Sequence, residues 1–246
     1  MIIKRLFDII VSFILILIFS PLFIIFSILI WKQDYKSPFY VAQRVGKNEI
    51  LFKMIKFRSM IINADASGVD STSQNDCRIT DLGHFLRRYK IDELPNFFNI
   101  FLGHMSFVGP RPNVMRETEL YTTKEKKLLS VRPGITDIAS IVFSDEGEIL
   151  SNSKDPDIDY NQLIRPWKSR LGLFYIKNKS LCLDVKLIIL TAIAIISRNR
   201  ALININKILL NLNADDKLVK ICLRNFNLSP YPPPGAKEIV RSRTLN

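Results

Sequence analysis

Asp92 and Glu93 are adjacent carboxylates immediately ahead of Leu94-Pro95, at an expected helix start. Proline is tolerated in a first helical turn because its missing N–H would be unpaired there anyway. Carboxylates at that end feel the positive pole of the helix dipole, which favours their ionised form. An ionised Asp is a competent nucleophile, and a neighbouring carboxylate suits a hard divalent cation such as Mg2+. Acidic residues in a first turn also serve as ordinary caps, so Ile91-Asp92-Glu93-Leu94-Pro95 admits both readings.

The basic residues around this pair weigh toward chemistry. Lys56, Arg58, Arg87, Arg111 and Arg132 all stand next to expected turns or element ends rather than in long charge runs. The planar guanidinium fork matches phosphate oxygens, and the prolines of Pro110-Arg111-Pro112 would fix its direction. Each cation alone reads as a solvated surface charge. Together with a carboxylate pair they match a phosphoryl-transfer site, where cations neutralise charge and the protein mainly positions. The formal net charge of +12 suits anionic partners. No nucleic-acid-binding motif accompanies it, so the charge is assigned to phosphorylated substrates and lipid headgroups. Cys77, Cys182 and Cys222 are far apart, and His84 and His104 are the only histidines, which argues against zinc and for reduced thiols.

Several elements must position these groups. From Ile9 to Ile30 no residue is charged, a run long enough for a helix of ~33 Å. Ser20-Pro21 breaks it, and positive charge flanks both ends as Lys4, Arg5, Lys32 and Lys36. A bent spanning anchor and a re-entrant hairpin both fit, and on these grounds alone the spanning anchor leads. Trp31 and Tyr35 suit the interface, and Arg5 and Asp8 are spaced to pair on one helix face. Phe52–Phe57 reads as a strand, 63–75 as a mobile loop, and Thr80 caps a helix running through Arg88. A short helix is expected from near Asp92 to before Gly103. Rigid turns are expected at 109–112 and 132–134, and a strand over Ile135–Phe143 turned by Asp145-Glu146-Gly147. Leu187–Ile196 is too short to span and reads as a core or interfacial helix, with Arg198 and Arg200 behind it. The tail from Pro230 to Asn246 is expected to be extended or disordered.

Several motifs in order carry a family resemblance: Lys4-Arg5-Leu6-Phe7-Asp8, Ser20-Pro21, Gln43-Arg44-Val45-Gly46, Lys56-Phe57-Arg58-Ser59-Met60, Arg78-Ile79-Thr80 and Leu86-Arg87. Asp92-Glu93-Leu94-Pro95, Met105 to Pro112 and Arg132-Pro133-Gly134-Ile135-Thr136 complete them. From Lys4 to about Thr191 the chain resembles the bacterial sugar transferase family, the monotopic polyprenyl-phosphate hexose-1-phosphate transferases or small phosphoglycosyl transferases. The resemblance implies a re-entrant N-terminal helix and a two-step reaction. Asp92 would attack the sugar-linked phosphate of a UDP-sugar, and the phosphosugar would pass to undecaprenyl phosphate. Glu93 matches the Mg2+-binding carboxylate, Arg87 and Arg111 match phosphate contacts, and Lys56, Arg58 and Arg132 are assigned to substrate. Asn96, His104 and Asp137 depart from the family pattern, which bears on substrate choice.

The expected fold is therefore mostly helical α+β. A compact cytoplasmic catalytic domain (33–200) would sit on a proline-broken re-entrant membrane helix (1–32), with interfacial amphipathic helices and a C-terminal extension (201–246). The expected location is the cytoplasmic face of the bacterial inner membrane, in contact with membrane lipid, and a homodimer stays open. A membrane-anchored glycosyl transferase moving sugar without phosphate is the rival enzyme reading. A non-catalytic protein binding nucleotide sugar or lipid is the other.

Overall fold

The computed structural model describes residues 2–67 and 76–242. Two apolar helices, α1 (Ile2–Ile18) and α2 (Ser20–Asp34), meet at a bend of 61°. The cause is local. Pro21 has no N–H for the Leu17 carbonyl, and the Ser20 hydroxyl donates to that carbonyl instead, at 2.8 Å. No single described helix is long and apolar enough to cross a membrane, whereas this bent pair together satisfies the length and composition for one.

A hairpin follows, β1 (Phe39–Val45) and β2 (Leu51–Phe57), antiparallel with Phe39 opposite Phe57 and Val45 opposite Leu51. Then come α3 (Asp81–Arg88), α4 (Asn96–Leu102), β3 (Ser106–Val108) and α5 (Met115–Glu119). β4 (Gly134–Thr136) lies parallel to β3, with Ser106 opposite Gly134. The rest is helical: α6 (Ile138–Val142), α7 (Glu146–Ile149), α8 (Pro156–Asp159), α9 (Arg165–Asn178), α10 (Leu181–Ile196), α11 (Arg198–Asn211) and α12 (Asp216–Leu223). The fold is thus mostly helical α+β, with two small two-stranded sheets among the described residues.

One core runs from β2 and β3 through α6, α9 and α10 to α11 and α12, and includes Leu171, Leu187, Ile205 and Ile221. The N-terminal basic residues bolt α1 to it. Arg5 donates to the Ile100 and Phe101 carbonyls at 2.6 and 2.8 Å, at the negative end of α4. Lys4 donates to the Val108 carbonyl (3.0 Å) and the Tyr175 hydroxyl (3.1 Å), and it also pairs with Asp184. Asp8 is buried and accepts from the Phe107 amide at 3.3 Å. The expected Arg5–Asp8 pair is corrected: each group turns inward to orphaned backbone polar groups of the domain, where a bond matters more than on a solvated face.

Several expectations hold. β2 and α3 lie where expected, and the Thr80 hydroxyl accepts from the Gly83 amide at 3.0 Å. Gly103, at φ +91, ends α4. The strand expected over Ile135–Phe143 is corrected to three residues of β4 followed by α6. Asp137 caps that helix, accepting from the Ser140 amide at 2.6 Å, and Ile138, Ala139, Ile141 and Val142 are all buried. A short, wholly apolar run has no periodicity to separate strand from buried helix. The loop expected over 63–75 is described only through residue 67, and its remainder lies outside the described residues. The tail from Pro230 runs without helix or strand to 242, yet it is docked. Tyr231 stacks on Trp167 at 4.5 Å, its amide donates to the Gln162 carbonyl at 3.0 Å, and Gln162 Nε2 donates to the Val240 carbonyl at 2.6 Å.

Gly83 sets how closely α3 approaches the end of β2, since a Cβ there would stand 1.9 Å from the Ser59 carbonyl oxygen. Gly83→Ala must push α3 away, at a cost of about 1–3 kcal/mol. In a thermal melt we expect Tm to fall by roughly 2–12 °C.

Candidate active site

The acidic pair is positioned from both sides. Lys90, in the left-handed region at φ +58, reverses the chain after α3 and starts a single tight turn over Ile91–Glu93. Asp92 and Glu93 lie in that turn, one step ahead of α4, and only 7% and 8% of their surfaces are exposed. Opposite them stands Pro110-Arg111-Pro112, at the end of β3. Its path depends on Gly134, where a Cβ would lie 2.2 Å from the Gly109 nitrogen, so β3 and β4 close tightly only without a side chain.

Arg111 grips Glu93 with both ends of its fork, Nη2 to Oε1 at 2.6 Å and Nη1 to Oε2 at 3.0 Å. Nη1 also donates to the Ile135 carbonyl at 2.8 Å, and Lys56 Nζ, from the end of β2, donates to Glu93 Oε1 at 3.1 Å. Burial works to raise the Glu93 carboxyl, but Arg111 and Lys56 together hold it well below the usual carboxylate range. Asp92 behaves oppositely. Burial pushes it above the usual range and the charge of Glu93 adds to this, while Lys56 opposes it. Asp92 Oδ1 is buried with no hydrogen-bond partner among the described residues. The two carboxylates are shifted in opposite directions. The two lie before the helix, and neighbouring charge and burial set their states.

Both carboxylates line a cleft of about 1510 Å³, together with Lys56, Arg87, Arg111 and Asp137. Arg87 is held by the Ser59 hydroxyl, which accepts from Nε at 2.9 Å. Lys56, Arg87 and Arg111 thus converge with the acidic pair. Arg58 and Arg132 are bonded elsewhere. Arg58 borders the cleft, but its guanidinium is committed to Asp34 and to the Ser37 carbonyl at 2.9 Å. Arg132 stands outside the lining and donates to the Gly103 carbonyl at 2.8 Å. Arginines beside turns look alike in sequence, and only the fold decides which carbonyls need them.

Sequence reasoning missed Lys168 and took Asp137 only as a departure from a pattern, yet both line the cleft. Asp137 is buried, which raises its carboxyl above the usual range against the pull of Ser140. An Asp inside an expected strand signals no cleft, so no pattern could have marked it.

The raised Asp92 has a consequence for stability. A group whose folded pKa exceeds its unfolded value contributes stability below the unfolded value and loses it as pH rises through the folded one. At neutral pH, then, the ionised Asp92 is a burden. Asp92→Asn should melt higher than the parent at pH 7.5. The gain should vanish near pH 4, as read from paired melts across pH.

A family model described as bacterial sugar transferase matches residues 1–198. The chain is 36% identical over 196 residues to the UDP-glucose:undecaprenyl-phosphate glucose-1-phosphate transferase of Klebsiella pneumoniae, covering 78% of this chain and 39% of that protein. It is 35% identical over 196 residues to the UDP-N-acetylgalactosamine-undecaprenyl-phosphate N-acetylgalactosaminephosphotransferase of Aeromonas hydrophila, covering 77% of this chain and 42% of that one. The chain thus spans about two fifths of the length of these two relatives. The exopolysaccharide production protein PSS of Rhizobium leguminosarum bv. phaseoli matches at 35% over 213 residues, 81% of this chain and 98% of that protein. With most of its length matched by one family model and its acidic pair clamped by cations in a cleft, this chain belongs to the bacterial sugar transferase family.

Proposed function

We propose that the chain transfers a sugar-1-phosphate from a UDP-sugar to undecaprenyl phosphate, starting a bacterial surface glycan. The observation that carries this reading is the contrast within the acidic pair. Glu93 is held by Arg111 and Lys56, while Asp92, in the same cleft, keeps an oxygen without a partner. A carboxylate with no competing hydrogen bond is the better nucleophile of the two.

In the first step an Asp92 carboxylate oxygen bonds to the sugar-linked phosphorus. The bond from that phosphorus to the bridging oxygen breaks, and UMP leaves with the electron pair. In the second step a phosphate oxygen of undecaprenyl phosphate attacks the aspartyl phosphosugar, releasing the Asp92 carboxylate and forming a lipid diphosphate sugar. Arg111 and Lys56 fix Glu93, and Arg87 offers a partly desolvated cation to a diphosphate oxygen.

The donors present fit Mg2+. Among the described residues no cluster of three or more metal-ligating side chains exists. Mg2+ commonly takes only one or two carboxylates and completes its shell with phosphate oxygens and water. Asp92 Oδ1 lacks a partner, and Glu93 Oε2 accepts one bond where Oε1 accepts two. Glu93 would hold the ion, which would supply neutralisation of the diphosphate charge.

We further read α1 and α2 as re-entrant on the cytoplasmic face of the inner membrane, with residues 1–32 entering the lipid, 33–200 carrying catalysis and 201–246 completing the core. The start of α1 is bonded to the domain through Lys4 and Arg5 and the end of α2 through Asp34 and Arg58, which supports this reading. Reporters at the two termini should read the same cytoplasmic side, and opposite sides would rule out re-entry.

Incubation with a panel of UDP-sugars should give catalytic turnover to UMP only when undecaprenyl phosphate and Mg2+ are both present, with at most one UMP per enzyme in the absence of the lipid. Asp92→Asn should lose turnover by several orders of magnitude while remaining with the membrane fraction. Release of UDP instead would mean transfer of sugar without phosphate, and release of neither nucleotide would mean a binding protein.

A further inference from the structure

The end of β2 joins the membrane helix to the cleft within four residues. Lys56 reaches Glu93 at 3.1 Å, and Ser59 holds Arg87 at 2.9 Å. The two residues between them face α2. Phe57 is 1% exposed, with its ring 5.8 Å from Phe23, 6.4 Å from Phe26 and 5.5 Å from Phe39. Arg58 is 9% exposed and ties three segments together. Its fork takes both oxygens of Asp34, the last residue of α2, with Nη2 to Oδ1 at 2.6 Å. Nε donates to the Ser37 carbonyl at 2.9 Å, and its own amide donates to the Pro38 carbonyl at 2.8 Å. A cation at a helix C-terminus also meets the negative end of the dipole.

We propose, building on the transfer reaction above, that Arg58 is a positioning residue: its pair with Asp34 locks the end of α2 to β2 and so holds Lys56 and Ser59 at the cleft. It touches no substrate. The strand rises only ~3.3 Å per residue, so slack at Arg58 is felt at both neighbours. A displacement of about 1 Å in a catalytic group costs up to ~100-fold in rate.

The test compares full-length Arg58→Ala, Asp34→Ala, the double variant and Arg58→Lys. A positioning role predicts that either alanine variant loses roughly 10- to 100-fold in kcat. KM for the UDP-sugar stays within about twofold, and the double variant falls no further than the worse single one. Arg58→Lys recovers part of the loss. Hydrogen exchange over residues 52–59 accelerates in both alanine variants. Asp34→Asn, which removes the charge and keeps the shape, carries the same expectations if Arg58→Ala fails to fold.

A raised KM with kcat retained in Arg58→Ala, alongside normal turnover in Asp34→Ala, would make Arg58 a substrate contact and overturn the proposal. Unchanged exchange over 52–59 overturns it as well, whatever the activity. A parent protein that releases no UMP defeats the transfer reading instead, and the exchange comparison still decides the role of Arg58.

Discussion

The clamp of Arg111 and Lys56 on Glu93 is the interaction on which the cleft depends. It joins three chain segments distant in sequence: the end of β2, the turn before α4 and the proline-flanked arginine after β3. Removing Glu93 would leave Arg111 and Lys56 without their shared counter-charge. The clamp also explains why adjacent carboxylates differ. Glu93 receives the cations and stays ionised, while Asp92 is left with burial and a negative neighbour.

The surrounding architecture makes the clamp possible by close backbone approach. Gly83 lets α3 touch the Ser59 carbonyl, which brings Arg87 to the Ser59 hydroxyl. Gly134 lets β4 meet β3 at Gly109, which aims Arg111 at Glu93. On the other side, Lys4 and Arg5 satisfy the carbonyls of Val108, Ile100 and Phe101, so the apolar helices are fastened to the same small sheet that carries Arg111. Charges that sequence suggests as flanks of a membrane segment are therefore fasteners between that segment and the domain.

Much of this was legible in the residues. The proline break, the Thr80 cap, β2, the Gly103 stop and the grouping of Lys56, Arg87 and Arg111 with the acidic pair all rest on local rules or ordered motifs. What the residues left open shares one cause. The run after Thr136 has no period that tells strand from buried helix, so the cap at Asp137 reads as part of a strand. Arg58 and Arg132 carry the same local signature as Arg111, and their partners, Asp34 with Ser37 and Gly103, are named by no spacing rule.

By itself, the sequence determined the composition of the site and the kink before it: two carboxylates, a set of cations at turns, and Ser20-Pro21, whose missing N–H acts wherever the helix lies. Only the tertiary structure decided how the charges are shared. An arginine binds whichever carbonyl or carboxylate the fold brings within about 3 Å, and burial and neighbouring charge then shift each carboxylate in its own direction. These are long-range quantities, fixed by the approach of α3 to β2 and of β4 to β3, and no local pattern encodes them.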